Sequence, residues 1–489
     1  MGLLSILCAG NLSAQIAYTN ESAMSLRECI ELALMHNLDI QIRRIQPSID
    51  QFSLEAARGA YDPFITASAI HNFRASPGSS DPNSALFGLG SDTFSESYGP
   101  GIAGKLPYGT QYQLNGNMVR QSGTFFPSFQ YNSDLGASIT QPLLKDFLID
   151  SDRRTIEINK LTLKIDELSL RQQIINTVTS VQVAYFDLIF HRENVLVQES
   201  SLNLAEQQLS ENRKKINLGV MAPLDEKQAE SQVSARLADV LAARRDFDAQ
   251  MNVLKNLMSD DFVSWVGTSI RPTEKLLAII EPLDRQESWR RGLKERPDIL
   301  QSTESLERQK IVLRYNKNQL LPSLNLQLTY GHNGLGTDLN SGLDGIRTGS
   351  GQRYSYGLIL RIPFSNRIAK NTYAASKLEK QRLLKQHKQL EQNAIVEIDN
   401  AVKAAQTAYE QITATRQARL YSEAALDAEE KKEANGQSTN FVVLQLQRDL
   451  TAARSRELRA LADYNKALSN LYLSEGSTLE RNKLTVELK

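Results

Sequence analysis

The sequence predicts an α plus transmembrane β-barrel protein, in which long paired helices join short groups of strands as two internal repeats. Three observations carry this expectation. The chain matches itself in the same order at three places, apolar residues recur every seventh position through a very long helix, and alternating segments sit beside prolines between the helices.

The repeat comes first, because overlooking one misreads a whole fold. "LRECIELALMHNLDIQI" begins at Leu26 and "WRRGLKERPDILQS" at Trp289; without a gap, Leu34 falls on Leu293, Asp39 on Asp298, Ile40 on Ile299 and Pro63 on Pro322. "LGASITQPLL" (135–144) matches "YGLILRIPFS" (356–365), with Gly136 on Gly357 and Pro142 on Pro363. "LGVMAPLDEKQAE" matches "NGQSTNFVVLQLQ", with Gly219 on Gly436, Leu224 on Phe441 and Gln228 on Gln445. Each half reads as short helix, β segment, long helix, sharp turn, long helix. The first repeat is expected over 23–260, with β segments in 63–142 and a helical hairpin over 150–258 that turns at 219–225. A linker at 261–284 leads to the second repeat over 285–475, with β segments in 322–363, a hairpin over 367–474 turning at 436–442, and a tail at 476–489.

Val181, Leu188, Val195, Leu202, Leu209 and Ile216 keep strict seven-residue spacing. Such a stripe keeps facing a partner only if the helices supercoil left-handedly. Val183, Phe190, Val197 and Leu204 form a second stripe two positions on. Two offset stripes fit a helix with neighbours on both sides; one broad core face of a bundle is the alternative. At 1.5 Å per residue the first arm spans roughly 95 Å, more than a compact globule accommodates. In the second half Ala401, Ala404, Ala405 and Ala408 permit close backbone approach, and Leu461, Tyr464, Leu468 and Leu471 restore the three-four spacing.

In "SLNLQLTYG" (323–331) Leu324, Leu326, Leu328 and Tyr330 point one way, and Ser323, Asn325, Gln327 and Thr329 the other. "YGLILRI" (356–362) and "TQYQLNGNM" (110–118) alternate in the same manner. The pattern fits a half-buried soluble sheet or a barrel with lipid outside and water inside. With the long helices committed to one another and the loops 75–93 and 331–352 rich in Gly, Ser and Asn, lipid is the cover left for the apolar faces. Pro63, Pro142, Pro322 and Pro363 mark helix-strand junctions, since proline lacks an N–H and disfavours helix in the residue before it. "GPGIAGKLPYGTQYQLNGN" reads as an additional hairpin turning at Tyr108-Gly109, which would give the first half four strands against two in the second.

Lys plus Arg and Asp plus Glu number 56 each among 489 residues, so no global charge favours nucleic acid. No run approaches the ~18 apolar residues of a membrane helix, which excludes helical spanning but not a barrel. The two cysteines, Cys8 and Cys29, rule out a disulfide framework. Residues 1–14 have the apolar then small character of a signal peptide without its basic start, and Leu7 stands where a lipidation site at Cys8 would want a small residue.

On "SLRECIELALMHNLDI", "RPDILQSTESLERQK…LLPSLNL", "ITQPLL" and the two turn segments, the chain resembles the TolC family of outer-membrane efflux proteins. The resemblance covers nearly everything after residue 22 and implies a homotrimer with one shared outer-membrane β-barrel and a long periplasmic α-helical barrel. It implies a passive exit duct for solutes or proteins in a tripartite efflux or type I secretion system, served by a periplasmic adaptor and an inner-membrane pump of RND or ABC type. Six strands per chain would give eighteen against the family's familiar twelve. By alignment the turns form the periplasmic entrance and adaptor contact: Gly219, Val220, Met221, Ala222, Pro223, Leu224 and Asp225 in the first, and Gly436, Ser438, Thr439, Asn440, Phe441 and Gln445 in the second. Asp225 is either a gating carboxylate or a residue favoured by the helix dipole. Val442 and Gln445 stand where acidic residues are expected, so a cation-binding ring is not implied; Asn440, Phe441 and Gln445 offer hydrogen bonds or packing instead.

The five histidines show no metal-ligand spacing, no nucleophile elbow is present, and "GHNGLG" (331–336) opens into a polar loop and not a helix. No catalytic residue, metal site or cofactor is expected. A soluble or periplasmic coiled-coil scaffold or adaptor without a pore is the alternative function; it explains the heptads and leaves the alternating strands without a role.

Overall fold

A computed structural model describes residues 20–78, 80–83, 88, 90–124, 126–218 and 222–484. The expected signal peptide with Cys8, and Gly219, Val220 and Met221 of the first turn, lie outside the described residues.

In chain order, β1 (Asn20–Met24) leads to α1 (Leu26–His36) and α2 (Leu38–Arg58). Strands β2 (Phe64–Ser76), β3 (Ser91–Lys105), β4 (Gln111–Gly123) and β5 (Phe126–Pro142) follow, then α3 (Ser151–Asn217) and α4 (Pro223–Met258). After β6 (Thr268–Pro272) come α5 (Arg285–Glu295), α6 (Pro297–Asn318), β7 (Ser323–Gly336), α7 (Leu339–Thr348) and β8 (Gln352–Arg361). The chain then runs through α8 (Arg367–Ala434), α9 (Asn440–Glu475) and α10 (Thr478–Arg481). The hairpin arms are 67 and 36 residues long in the first half and 68 and 36 in the second, so the duplication shows in element lengths.

Two compact units divide the chain. The helical unit comprises Met1–Gln46, Glu167–Gln301 and Lys388–Lys489. Its main core joins Cys29, Ile30 and Ala33 of α1 to Ile174, Val178, Val181, Tyr185 and Leu188 of α3 and to Met251, Leu254 and Met258 of α4. The first heptad stripe thus starts fully buried at Val181 and Leu188, while Leu204 of the second stripe is exposed in the single chain. Ser25 and Glu28 form a reciprocal capping box that starts α1, satisfying donors that a helix N-terminus leaves open. In the second repeat Ala405, Ala408 and Ile412 of α8 pack with Ala460, Tyr464 and Leu468 of α9, where the small residues let the two backbones approach.

Two expectations need correction in this unit. Residues 261–284 are more than a linker, because Thr268–Pro272 form β6, which pairs in parallel with β1. The tail begins with α10, whose Thr478 is fully buried, and Gln182 Nε2 donates to Asn482 Oδ1 at 2.8 Å.

The sheet unit comprises Pro47–Asp166 and Ser302–His387. Its six strands form an antiparallel sheet in the order β2-β3-β4-β5-β7-β8, so the additional hairpin lies within the sheet. That hairpin turns through Gly109, at φ 82, with Leu106 N–H donating to the Thr110 carbonyl at 2.8 Å. The expected loop at 331–352 is overturned: β7 continues to Gly336, and α7 follows, capped at its start by Asp338 and ended by Gly349 in the left-handed region at φ 72. Glycine composition concealed this helix. A Cβ on Gly342 would lie 2.9 Å from Cβ of Tyr131, so the glycine is what lets α7 lie against β5.

Candidate channel wall and entrance

Strand register decides which side chains share a face. Tyr112, Ile139, Leu328 and Tyr356 lie side by side across β4, β5, β7 and β8, and Leu114, Ala137, Tyr330 and Tyr354 form the next row. On the opposite face run Gln113, Ser138, Thr329 and Ser355, flanked by Gln111, Thr140 and Gln327. Leu328, Tyr356, Leu358 and Leu360 are all exposed in the single chain. The sheet therefore offers one continuous apolar face and one continuous polar face. The apolar face ends in a charged row, where Glu96 meets Arg120 at 3.1 Å and His71 at 3.5 Å, and the Arg120 guanidinium lies 3.6 Å over Phe129.

The polar face carries Arg74, Lys105, Arg353 and Arg361 against one strand carboxylate, Asp134. Arg353 pairs with Asp134 at 2.7 Å and Lys105 with Asp152 at 3.0 Å. The Arg353 guanidinium lies across Gly136 and Gly331, and a Cβ on Gly331 would meet the Leu135 carbonyl at 2.6 Å.

Pro63 and Pro322 immediately precede β2 and β7, Pro142 is the last residue of β5, and Pro363 lies two residues beyond β8. Two of the junctions are braced together. Asn318 Oδ1 accepts from Asp146 N–H at 2.8 Å, and Gln319 Nε2 donates to Asp146 Oδ1 at 2.6 Å. Asp146, Leu148 and Asn366 adopt positive φ here, so these chain reversals hold non-glycine residues in a sparsely populated region.

At the first helical turn Ala222 is the N-cap of α4 and Pro223 its first residue, a position where the missing N–H costs nothing. Leu224 is exposed, and Asp225 and Glu226 lie in the first helical turn. Arg213 closes the hairpin, reaching Glu226 and Glu230 at 2.9 Å each. At the second turn Gly436 adopts φ 75, and Gln437 N–H returns to the Lys432 carbonyl at 2.8 Å while Gly436 N–H reaches that of Glu433. This is the glycine-ended helix terminus that satisfies otherwise open carbonyls. Ser438 Oγ donates to Glu429 Oε1 at 2.5 Å, and Thr439 caps α9 without a side-chain hydrogen bond. Phe441 and Gln445 are exposed; Asn440 is buried and accepts from Gln208 Nε2 at 3.0 Å.

Gln208 and its neighbour Asn212 escaped the sequence reading. Asn212 is fully buried, and its Nδ2, like that of Asn440, has no hydrogen-bond partner among the described residues. A signal was present: Asn212 lies between Leu209 and Ile216 at the three-four spacing of the seam, a core position held by a polar residue.

The Ser438 hydroxyl, and then Lys432, hold the Glu429 carboxyl below its ordinary value. A depressed folded pKa contributes stability above the ordinary carboxylate value and loses it as pH falls through the depressed one. Amide exchange at Gln437 and Ser438, corrected for intrinsic rate, is therefore expected to accelerate as pH falls from the ordinary carboxylate value through the depressed one and to level off below it. Ser438→Ala should shrink that acceleration and narrow its pH window, because the Glu429 carboxyl returns toward its ordinary value.

The profile of the family described as outer membrane efflux protein matches residues 30–259 and 290–477. No curated protein matches the chain. The outer-membrane channel OprN shares its fold at TM-score 0.68 and 17% identity, covering 92% of this chain and 90% of that one. The CmeC outer-membrane channel of Campylobacter jejuni matches at TM-score 0.66 and 16% identity, over 93% and 86% of the two chains. The MtrE outer-membrane channel of Neisseria gonorrhoeae, described in its open state, matches at 0.63 and 18%, over 94% and 91%. With matches in both halves, a TolC-like fold and sheet faces of opposite chemistry, the chain belongs to the outer membrane efflux protein family.

Proposed function

We propose that three copies of the chain form an outer-membrane exit duct that passively conducts solutes or proteins in a tripartite efflux or type I secretion system. The single observation that carries this is the sheet, apolar on one face, polar on the other and open at both edge strands. The outer edges of β2 and β8 have no strand partner among the described residues, and lipid cannot satisfy their N–H and C=O groups, so the sheet would close with other copies. Three sets of six strands would close an eighteen-stranded barrel with the polar face inside. The exposed Leu224 and Phe441 give the helical turns an apolar surface suited to a periplasmic adaptor, which an inner-membrane pump would serve. Ala222 to Asp225 and Gly436 to Gln445 would border the periplasmic entrance, and the four prolines would mark the swivels into the barrel. Purified trimer added to a planar bilayer should give discrete conductance steps; a protein that inserts and never conducts would overturn the reading.

The same duct should prefer anions at low salt. Of the four polar-face cations, Arg353 and Lys105 are paired, while Arg74 and Arg361 are exposed. Charge on a water-filled wall acts over roughly 30 Å at 0.01 M salt and only about 8 Å at 0.15 M. A tenfold KCl gradient at the lower concentration should therefore give an anion-selective reversal potential, reduced by Arg361→Gln and largely lost at the higher concentration.

A further inference from the structure

A cavity of about 500 Å³ in the sheet unit lies apart from both sheet faces. Arg153 and Arg154 enter it from the first turn of α3, and Arg314 from the last turns of α6. Glu157 is its one carboxylate, and Lys160 pairs with it at 3.0 Å. Arg153 Nη1 donates to the Pro107 carbonyl at 3.3 Å. The Arg154 guanidinium lies 4.3 Å over the Tyr315 ring, with its Nε buried and lacking an acceptor. Neither Arg154 nor Arg314 has a carboxylate partner among the described residues. Three arginines thus line one space that holds a single, already paired carboxylate, while Asp146, Asp150 and Asp152 line the adjoining cavity on the other side of Arg154.

The remaining wall is apolar, formed by Leu148, Ile149 and Ile311, with Tyr108 at the rim and Leu106 and Phe147 exposed close by in sequence. Leu148 is held at φ 60, a costly conformation for a bulky side chain, so the wall is kept in place against local preference. Tyr108 and Leu148 belong to the loops at the helix ends of β4 and β5, the two central strands. Copies pairing at the free edges β2 and β8 would meet the sheet two strands away on either side.

We propose that this cavity binds a phosphate ester, with the phosphate oxygens taken by Arg153, Arg154 and Arg314 and its hydrocarbon against Leu148, Ile149 and Ile311. Guanidinium forks match phosphate oxygens in pairs, and a partly enclosed site strengthens each charge-assisted bond. A phospholipid headgroup and free inorganic phosphate present the same group; the lipid source alone rests on the proposed membrane reading.

The test uses full-length protein in a maltoside detergent, which carries no phosphate. Short-chain phosphatidylglycerol or inorganic phosphate is titrated in at fixed ionic strength, and bound ligand is counted by native mass spectrometry. Arg314 is exposed, so Arg314→Gln preserves the fold; Arg154→Gln/Arg314→Gln is the stronger variant, with trimer mobility as its folding control. Phosphatidylglycerol binding that weakens at least tenfold in Arg314→Gln, without competition from phosphate, supports the site with lipid as its source. Inorganic phosphate binding with the same dependence supports the site with the free anion as its source. Equal binding by wild type and both variants, or none of either ligand, overturns the proposal. Conductance of the same preparation tests the duct separately, so a conducting, phosphate-blind protein sinks this inference alone.

Discussion

Leu328→Arg is expected to destabilise the membrane-inserted protein by about 2–4 kcal/mol, whereas Thr329→Arg, one residue on, costs close to nothing. Leu328 lies between Ile139 and Tyr356 on the apolar face, and Thr329 between Ser138 and Ser355 on the polar one. In the proposed barrel a guanidinium on the first face would meet hydrocarbon on every side, while on the second it would meet water and hydroxyls. The difference corresponds to a factor of roughly thirty to a thousand in the folded population, at about 1.4 kcal/mol per decade. Refolding of each variant into vesicles, followed by the fraction of heat-modifiable trimer across a denaturant series, measures it. Equal midpoints would show that the apolar face does not meet lipid. A larger loss for Thr329→Arg would mean that the faces are assigned the wrong way round.

The alternating faces were legible because strand periodicity is two, so a single register places every apolar residue of "SLNLQLTYG" on one side. Hairpin lengths were legible too, since Pro223 and Gly436 punctuate an otherwise continuous heptad pattern. The pairing of β1 with β6 was not. Five residues joining Asn20 to Thr268 leave no local signature, and their stability comes from contacts distant in sequence. Helix α7 was hidden for a different reason, because Gly342 and Gly345 read as loop punctuation when they serve close approach: a Cβ on Gly345 would come within 2.8 Å of Gly334 Cα. The cavity arginines were invisible as a group, since Arg153 and Arg314 lie on elements of opposite repeats. At the second helical turn, reading turn residues alone included Asn440 and passed over its partner Gln208 on α3. Asn440 bonds Gln208 across 232 positions of sequence, a separation that no short motif spans.

Asn212→Leu carries the second large effect, and its direction is toward greater stability. Asn212 is fully buried on the seam, its Oδ1 accepts from Gln208 Nε2 at 3.4 Å, and its own Nδ2 has no acceptor among the described residues. An unmade hydrogen bond on a buried donor costs about 1–3 kcal/mol, and a similarly sized apolar side chain removes that cost. Gln208 keeps its stronger bond to Asn440 in the variant, so nothing new is orphaned. Polar residues at such seam positions lower stability in exchange for a defined register, and here the looseness lies beside the second helical turn. Opening the proposed entrance by parting α3 from α9 at this point would become rarer by about five- to 150-fold for the same 1–3 kcal/mol. Asn440→Ala should act oppositely, because it removes the only side-chain bond from Gln208 to α9 among the described residues and leaves Gln208 the longer bond to Asn212 within α3. Thermal midpoint and open probability in planar bilayers, measured on both variants, separate the contributions. A stabilised Asn212→Leu trimer that conducts as wild type would remove the seam from the opening step. A destabilised one would show that the Asn212 amide finds its acceptor in the assembled trimer.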